Sequence, residues 1–170
     1  MVKGPRQRAT YRRRRTGETD YGRRLKLLRN GKPRAVVRVS NTQTTAQLVI
    51  FEPDGDKVVV GATGESLVKK FGWPEKLSRK SIPASYLVGF AMGKAAVAAG
   101  HNNAILDIGL AASTSGARVF SALKGMIDAG LEIPHGEKVL PDEERINGAH
   151  IDGKIAKSVV KTKSKIEGAF

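Results

Sequence analysis

Residues 33–61, PRAVVRVSNTQTTAQLVIFEPDGDKVVVG, decide the fold. Pro33 opens the run RAVVRV, in which Ala35, Val37 and Val39 alternate with Arg34, Val36 and Arg38. A period of two places the first set on one face of a strand and the second on the other. A second strand is predicted from about Thr42 to Phe51. Ala46, Leu48 and Ile50 share one of its faces, and Gln43, Thr45 and Gln47, continued by Val49 and Phe51, share the other. Pro53, Asp54, Gly55 and Asp56 make a turn, and KVVVG follows as a third strand. The three strands read as an antiparallel meander with a wet bend at Ser40 and Asn41. Its exposed face is expected to carry Arg34, Arg38, Gln43 and Gln47. Their long, hydrogen-bonding ends suit RNA edges and sugars, although any solvated sheet face can look like this.

After residue 61 the hydrophobic period lengthens. Glu65 to Phe71 reads as a short helix stopped by Gly72 and Pro74, and Ser81 to Ala99 as a longer one with Pro83 near its start and Gly100 at its end. The small residues Gly89, Ala91, Gly93, Ala95 and Ala98 would let that helix lie close to a sheet. AILDIGL, residues 104–110, reads as a buried strand. SGARVFSALKGMIDAG, residues 115–130, reads as a helix with Phe120, Leu123 and Ile127 facing inward. A meander followed by helix, strand and helix predicts an α/β fold with a mixed sheet. Beyond about Pro141 the chain reads as a polar, basic tail, locally ordered at most, whose last stretch is loose or held by RNA.

Working toward the N-terminus, DYGRRLKLLRN (residues 20–30) predicts a short helix capped by Asp20 and stopped by Gly31. Its leucines, Leu25, Leu27 and Leu28, are expected to dock it on the domain, with Arg23, Arg24, Lys26 and Arg29 facing out. Residues 1–19 read as extended when free. Gly4, Pro5 and Gly17 interrupt structure, and Arg12, Arg13, Arg14 and Arg15 repel one another. Arginine presents a planar fork of donors that fits phosphate oxygens, so this run points to phosphate contacts. Tyr11 and Tyr21 bracket it and can stack on a base or pack on the domain. The organisation is therefore a basic arm over 1–19, a single α/β domain over 20–140 and a tail over 141–170.

The charge distribution supports this division. The 170 residues carry a net charge of +14. Residues 1–38 hold 14 Lys and Arg against Glu18 and Asp20, a net of +12, whereas residues 39–150 sum to −1. A near-neutral domain with a concentrated cation source in front of it suits a polyanion. A membrane surface fits less well, because no broad aromatic and apolar face accompanies the charge. The apolar stretch from Ile82 to Gly100 is interrupted by Lys94, so it reads as a buried helix rather than a span. The start, MVKGPRQRATYRRRR, lacks the apolar segment of a secretory signal. The absence of cysteine excludes disulfides and thiolate metal sites.

Candidate reactive sites are weak. GATGES (residues 61–66) lacks the Lys-Ser/Thr pair of a phosphate loop and reads as a turn into a helix. Asp54 and Asp56 lack the further ligands of a calcium loop. His101, His135 and His150 are too dispersed to suggest zinc. Asp107 lies in an apolar strand and needs a partner if buried. It can belong to a metal nuclease centre, but a structural acid accepting from Thr114, Ser115 or nearby backbone N–H groups is the favoured reading. Ser113, Thr114 and Ser115 precede a helix and are expected to cap it, with a phosphate site as the alternative. Arg118 in the first turn opposes the helix dipole and favours an anion nearby.

Several strings in order resemble a known family: YRRRRTGETDYGRRLKLLRNGKPRAVVRVSN, FGWP, AILDIGLAASTSGARVFSALKGMIDAGLEIPHGE and LPDEERINGAHI, together reaching from Tyr11 to Ile151. The chain resembles large-subunit ribosomal protein family eighteen in its archaeal form, which binds 5S ribosomal RNA. The resemblance implies a cytoplasmic, ribosome-bound protein of the central protuberance, without catalytic residues or cofactors. Its implied partners are 5S ribosomal RNA, large-subunit ribosomal RNA and neighbouring large-subunit proteins. Its implied RNA-binding residues are Arg12, Arg13, Arg14, Arg15, Tyr21, Arg23, Arg24, Lys26, Arg29, Arg34, Arg38 and Asn41. After Asn41 the family usually places basic residues or histidine. Thr42, Gln43 and Thr44 stand here instead, which implies hydrogen bonds rather than ion pairs. The loop AASTSG after Leu110 is also less basic than the family's. A non-ribosomal RNA-binding module and a metal nuclease are the competing readings.

Overall fold

The computed structural model describes Gly4 and residues 8–170, so the interruption expected at Pro5 lies outside the described residues. Strands β1 (Arg34–Val39), β2 (Thr44–Ile50) and β3 (Lys57–Thr63) form the expected antiparallel meander. Strand β4 (Ile105–Asp107) joins β1 in parallel, giving a mixed sheet of order β3-β2-β1-β4. β2 starts two residues later than predicted because Ser40 closes the bend. Its Oγ accepts from the N–H groups of Thr42 and Gln43 at 3.2 and 3.0 Å. Such a side-chain turn competes with ladder pairing. β4 is shorter than residues 104–110 because the chain turns off the sheet at Gly109, whose φ is +61°. The Gly109 N–H donates back to Asp107 Oδ1 at 2.9 Å.

The alternation in β1 and β2 sets the layers. Ala35, Val37, Ala46 and Leu48 are fully buried on one face, beneath the helices. The other face presents Arg34, Val36 and Arg38 from β1 and Gln47 and Val49 from β2, with Arg34 paired to Val49 and Val36 to Gln47 in register. Val36 also lies beside Asp107 of β4, so Asp107 belongs to this second, outer face.

Two short basic helices precede the sheet. The arginine run, expected to be extended, forms one helical turn, α1 (Arg12–Arg15), whose Arg14 and Arg15 N–H groups both donate to the Tyr11 carbonyl. Arginine has high helix propensity, and water and salt screen four exposed charges from one another. Helix α2 (Tyr21–Leu28) begins as expected at Asp20, which accepts from the Arg23 N–H at 3.0 Å.

After β3, helix α3 (Gly64–Phe71) is fixed at both ends. Thr63 and Ser66 form a reciprocal capping box, and Gly72 stops the helix at φ +70°. Helix α4 (Ile82–Ala98) starts at Ser81, which accepts from the Ala84 N–H. It is buried without interruption from Pro83 to Gly93, because the sheet, α5 (Arg118–Asp128) and a C-terminal helix surround it. Gly89 and Gly93 therefore serve a different purpose from the one expected. They admit α5 rather than the sheet. A methyl at Gly89 would stand 2.0 Å from the Ala122 carbonyl oxygen, and one at Gly125 of α5 would stand 2.1 Å from that of Tyr86. In α5, Phe120 and Leu123 are buried as expected, but Met126 rather than Ile127 completes the inward stripe.

The C-terminal segment corrects a larger expectation. It is not loose. Past a 3-10 turn at Glu137–Val139 come α6 (Glu143–Asn147) and the fifteen-residue α7 (Gly153–Glu167). Ile155, Val159, Thr162 and Ile166 are buried. They recur at spacings of four, three and four, which is one stripe of a helix. α7 packs on α4 and α3. Lys163 from α7 reaches over the Phe90 and Tyr86 rings of α4, at 5.1 and 5.7 Å from their centroids, which adds a cation–π contribution to that contact.

The α4–α5 contact generates a test. Alanine is a better helix former than glycine by about 1 kcal/mol, yet Gly125→Ala is expected to lower stability by about 1–3 kcal/mol through overpacking. Gly136→Ala, with open space around its Cβ and a φ of −92°, is expected to be neutral or to stabilise by a few tenths of a kcal/mol. Urea denaturation of the two variants checks the contrast, and a stabilised Gly125→Ala would contradict the backbone contact.

Candidate RNA interface

The outer face of the sheet is organised by an alternating chain of charges. Arg34 Nη1 donates to Asp107 Oδ2 at 2.8 Å, and Arg34 Nη2 donates to Asp56 Oδ2 at 2.6 Å. Asp56 also accepts from Arg24 Nη2 at 2.8 Å, and Asp107 Oδ1 accepts from Arg38 Nη2 at 3.0 Å. The sequence Arg24–Asp56–Arg34–Asp107–Arg38 thus links α2, the β2–β3 turn, β1 and β4. Asp107 is the structural acid expected, and the backbone N–H it accepts is that of Gly109. Its side-chain partners, however, are arginines rather than Thr114 or Ser115. Burial pushes its carboxyl upward, but the Arg38 charge, the Gly109 N–H and the Arg34 charge outweigh that and hold it below its usual value. Asp56 is likewise lowered: desolvation opposes ionisation, while hydrogen bonds from Arg24 and Arg34 favour it.

This network corrects the placement of Arg34. It lies on the face predicted for it, but that face is covered at its position. Arg34 is 3% exposed and its guanidinium is committed to two carboxylates. A buried cation must be paired, so Arg34 is an internal strut. Arg38 remains half exposed, at 49% of its side chain. It is oriented by Asp107 and by its own donation to the Val37 and Asp107 carbonyls.

α2 docks differently from the expectation. None of its residues is buried, and Leu25 is 61% exposed. Leu27 and Leu28 are half-buried, and polar contacts secure the helix as well: Arg24 to Asp56, and Arg23 Nη1 to the Gly109 carbonyl at 2.5 Å. Arg13, Arg23, Arg24 and Arg38 line one cleft of about 270 Å³ with Glu18, Asp20 and Asp107. Arg12, Arg14 and Arg15 of α1, Lys26 of α2 and Arg29 at its end are exposed. Tyr11 and Tyr21 pack on each other, their ring centroids 5.6 Å apart, which ties α1 to α2.

The remaining candidates lie along the meander. Asn41 is exposed in the β1–β2 bend, and Gln47 is half-buried with its Cγ close over Gly61. Gln43 is half-buried, and its Oε1 accepts from the Glu65 N–H at the start of α3, at 2.8 Å. Of the residues that position α2, Asp56 was legible only as part of a turn and Gly109 only as part of a strand. Their partners are distant in sequence.

The loop after β4 also departs from the expectation. α5 has no side-chain cap: Ser115 donates to the Lys138 carbonyl at 2.5 Å, and Ala117 occupies the cap position. Arg118 lies exposed beside it. Among the described residues no group of three or more His, Asp or Glu side chains could hold a metal ion. Among the described residues no helix is long and apolar enough to cross a membrane.

A mixed sheet bearing an arginine turn and a cationic cleft on one side defines a basic α/β protein suited to a polyanion. The chain belongs to the family of ribosomal large subunit proteins 60S L5 and 50S L18, whose model matches residues 5–102 and 98–136. It is similar to large ribosomal subunit protein uL18 of Methanoculleus marisnigri, 50% identical over 151 residues that cover 89% of this chain and 85% of that one. The same protein of Natronomonas pharaonis is 50% identical over 151 residues, covering 89% of this chain and 80% of its own. The resemblance read in the sequence is thereby shown.

Removing the charge of Asp107 leaves Arg34 with one carboxylate and Arg38 with backbone carbonyls alone. Asp107→Asn is expected to cost about 3 kcal/mol, the scale for breaking a buried ion pair from one side. The folded carboxyl titrates below the unfolded one, so its contribution is complete above the unfolded value of about 3.9 and fades as pH falls through the folded value. The gap between wild type and variant in urea denaturation should therefore be large at pH 7 and shrink in acid below pH ~3.9. A gap independent of pH would contradict the assignment.

Proposed function

We propose that this chain is a structural component of the large ribosomal subunit that binds 5S ribosomal RNA and helps attach it to the central protuberance. There it also meets large-subunit ribosomal RNA and neighbouring proteins. The observation that carries this reading is the 50% identity to uL18 proteins across 89% of the chain, combined with an exposed arginine turn whose Arg13 lines the cationic cleft. In this reading residues 1–19 act as the arm, and Arg12, Arg13, Arg14, Arg15, Arg23, Lys26 and Arg29 neutralise phosphates. Arg24 and Arg38 present donors whose direction Asp56 and Asp107 set. Asn41 and Gln47 offer hydrogen bonds along the meander, and Tyr21 anchors the arm through Tyr11. Arg34 and Gln43 support these groups from within.

A metal nuclease centred on Asp107 is disfavoured by that residue's surroundings, since its oxygens face two guanidinium groups and a backbone N–H. A non-ribosomal RNA-binding role differs in one measurable respect, association with ribosomal subunits in cell extracts.

The electrostatic part is testable by salt. Each phosphate contact releases condensed cations and contributes about 0.9 to the slope of log affinity against log salt for a duplex. Replacing Arg12 to Arg15 with alanine should lower the slope for 5S RNA by roughly 3 to 4. The melting temperature should stay near wild type, because α1 buries nothing. Deleting residues 1–19 should do at least as much while preserving preference for 5S RNA over an unrelated RNA of equal size. An unchanged slope would remove the arm from the grip. Equal binding of both RNAs by the truncated protein would displace discrimination from the meander face.

A further inference from the structure

The lysines of α7 lack the intrahelical pairing that one lysine of α3 and one of α5 show. In α3, Lys69 meets Glu65 at 2.6 Å, and in α5, Lys124 meets Asp128 at 2.9 Å, both four residues apart. Such i,i+4 pairs are the ordinary way to solvate a helix face. α7 has none. Lys157, Lys161 and Lys165 recur every four residues on its exposed side, and Glu167 is the one acidic residue in the helix. Like charges at this spacing destabilise a helix, so the ridge carries a cost that solvation alone does not require. Among the described residues, no ion pair joins these three lysines to a carboxylate other than Asp152, which has a partner of its own. Lys165 lies over Gly72 at the C-terminal end of α3, where the helix dipole favours a cation. Lys157 and Lys161 have no such use within the chain, and Val160 beside them is 63% exposed.

The ridge is also in a distinct place. α7 packs on α4, and α4 packs on the sheet from the side opposite Arg34, Arg38 and Asp107. Sheet and α4 therefore lie between the ridge and the cleft.

We propose that the Lys157–Lys161 ridge of α7 is a second RNA-binding surface, which takes the phosphate backbone of large-subunit ribosomal RNA while the arginine side holds 5S RNA. This rests on the function proposed above and assigns its two RNAs to opposite sides of the domain. A row of flexible ammonium groups on a rigid helix suits phosphate oxygens without base recognition. An acidic protein surface is the competing occupant.

The test uses the full chain and the variants K157E/K161E and K157R/K161R, with 5S ribosomal RNA and with protein-free large-subunit ribosomal RNA as probes. K157E/K161E should bind 5S RNA within twofold of wild type. The complex of that variant with 5S RNA should bind large-subunit RNA on the order of tenfold or more weakly, as two lost phosphate contacts require. K157R/K161R should bind as wild type. Unchanged affinity for large-subunit RNA, or no binding of it by the wild-type complex, overturns the second surface. So does an equal loss of 5S RNA binding, which would make the ridge part of the first surface. A defect that emerges only when large-subunit proteins are added would identify a protein occupant and also overturn it. Failure of the wild-type chain to bind 5S RNA would instead sink the underlying function.

Discussion

The pairing of Arg34 with Asp107 is the constraint around which the RNA side of the molecule is arranged. Both groups sit on adjacent strands that would otherwise pack as apolar surface, and both are almost wholly removed from water. Two charges buried this way gain little net stability over well-packed hydrophobic residues, because desolvation consumes most of the attraction. What they fix is position. Asp107 has a second oxygen for Arg38, and Arg34 has a second nitrogen for Asp56, so the buried pair extends outward in both directions. Each exposed arginine at the ends of this chain is thus tied to an acid that is itself tied to the core.

The consequence is a division of labour between the domain and its basic leading segment. α1 and α2 bury no residue and add nothing to the core. α2 is held through guanidinium contacts to Asp56 and to the Gly109 carbonyl, and α1 by Tyr11 against Tyr21. Segments with few apolar contacts open at low free energy. The arginine side therefore combines pre-aimed groups at its base with a rim that can adjust to a folded polyanion. α7 is the reverse: its buried stripe belongs to the core, and its basic face is presented on a stable helix.

How much of this was legible in the sequence depended on whether the relevant pattern was local. Alternation in RAVVRV assigned Arg34, Val36 and Arg38 to one face correctly. Alternation tells which side a residue takes but not what covers that side, so Arg34 read as exposed. Asp107 read as a structural acid because an apolar strand leaves a carboxylate few choices. Its partners stand 69 and 73 residues away and no local signal names them. In α7 the stripe Ile155, Val159, Thr162, Ile166 was present in the sequence, but the five lysines of 154–165 obscured it and suggested a loose tail. Gly89 and Gly93 announced a close approach without identifying the approaching element. The family was legible because its strings run in order through both arm and core.

Gly89 and Gly125 bring the α4 and α5 backbones against each other at reciprocal points. Contacts between main chains lack the slack of interleaved side chains, which can change rotamer to absorb a small displacement. Sliding one helix along the other would drive carbonyl oxygens into Cα atoms. The helical layer consequently behaves as a gauge block of fixed thickness. The separation of α4 and α5 is thereby fixed, so the helical layer sets distance as well as packing.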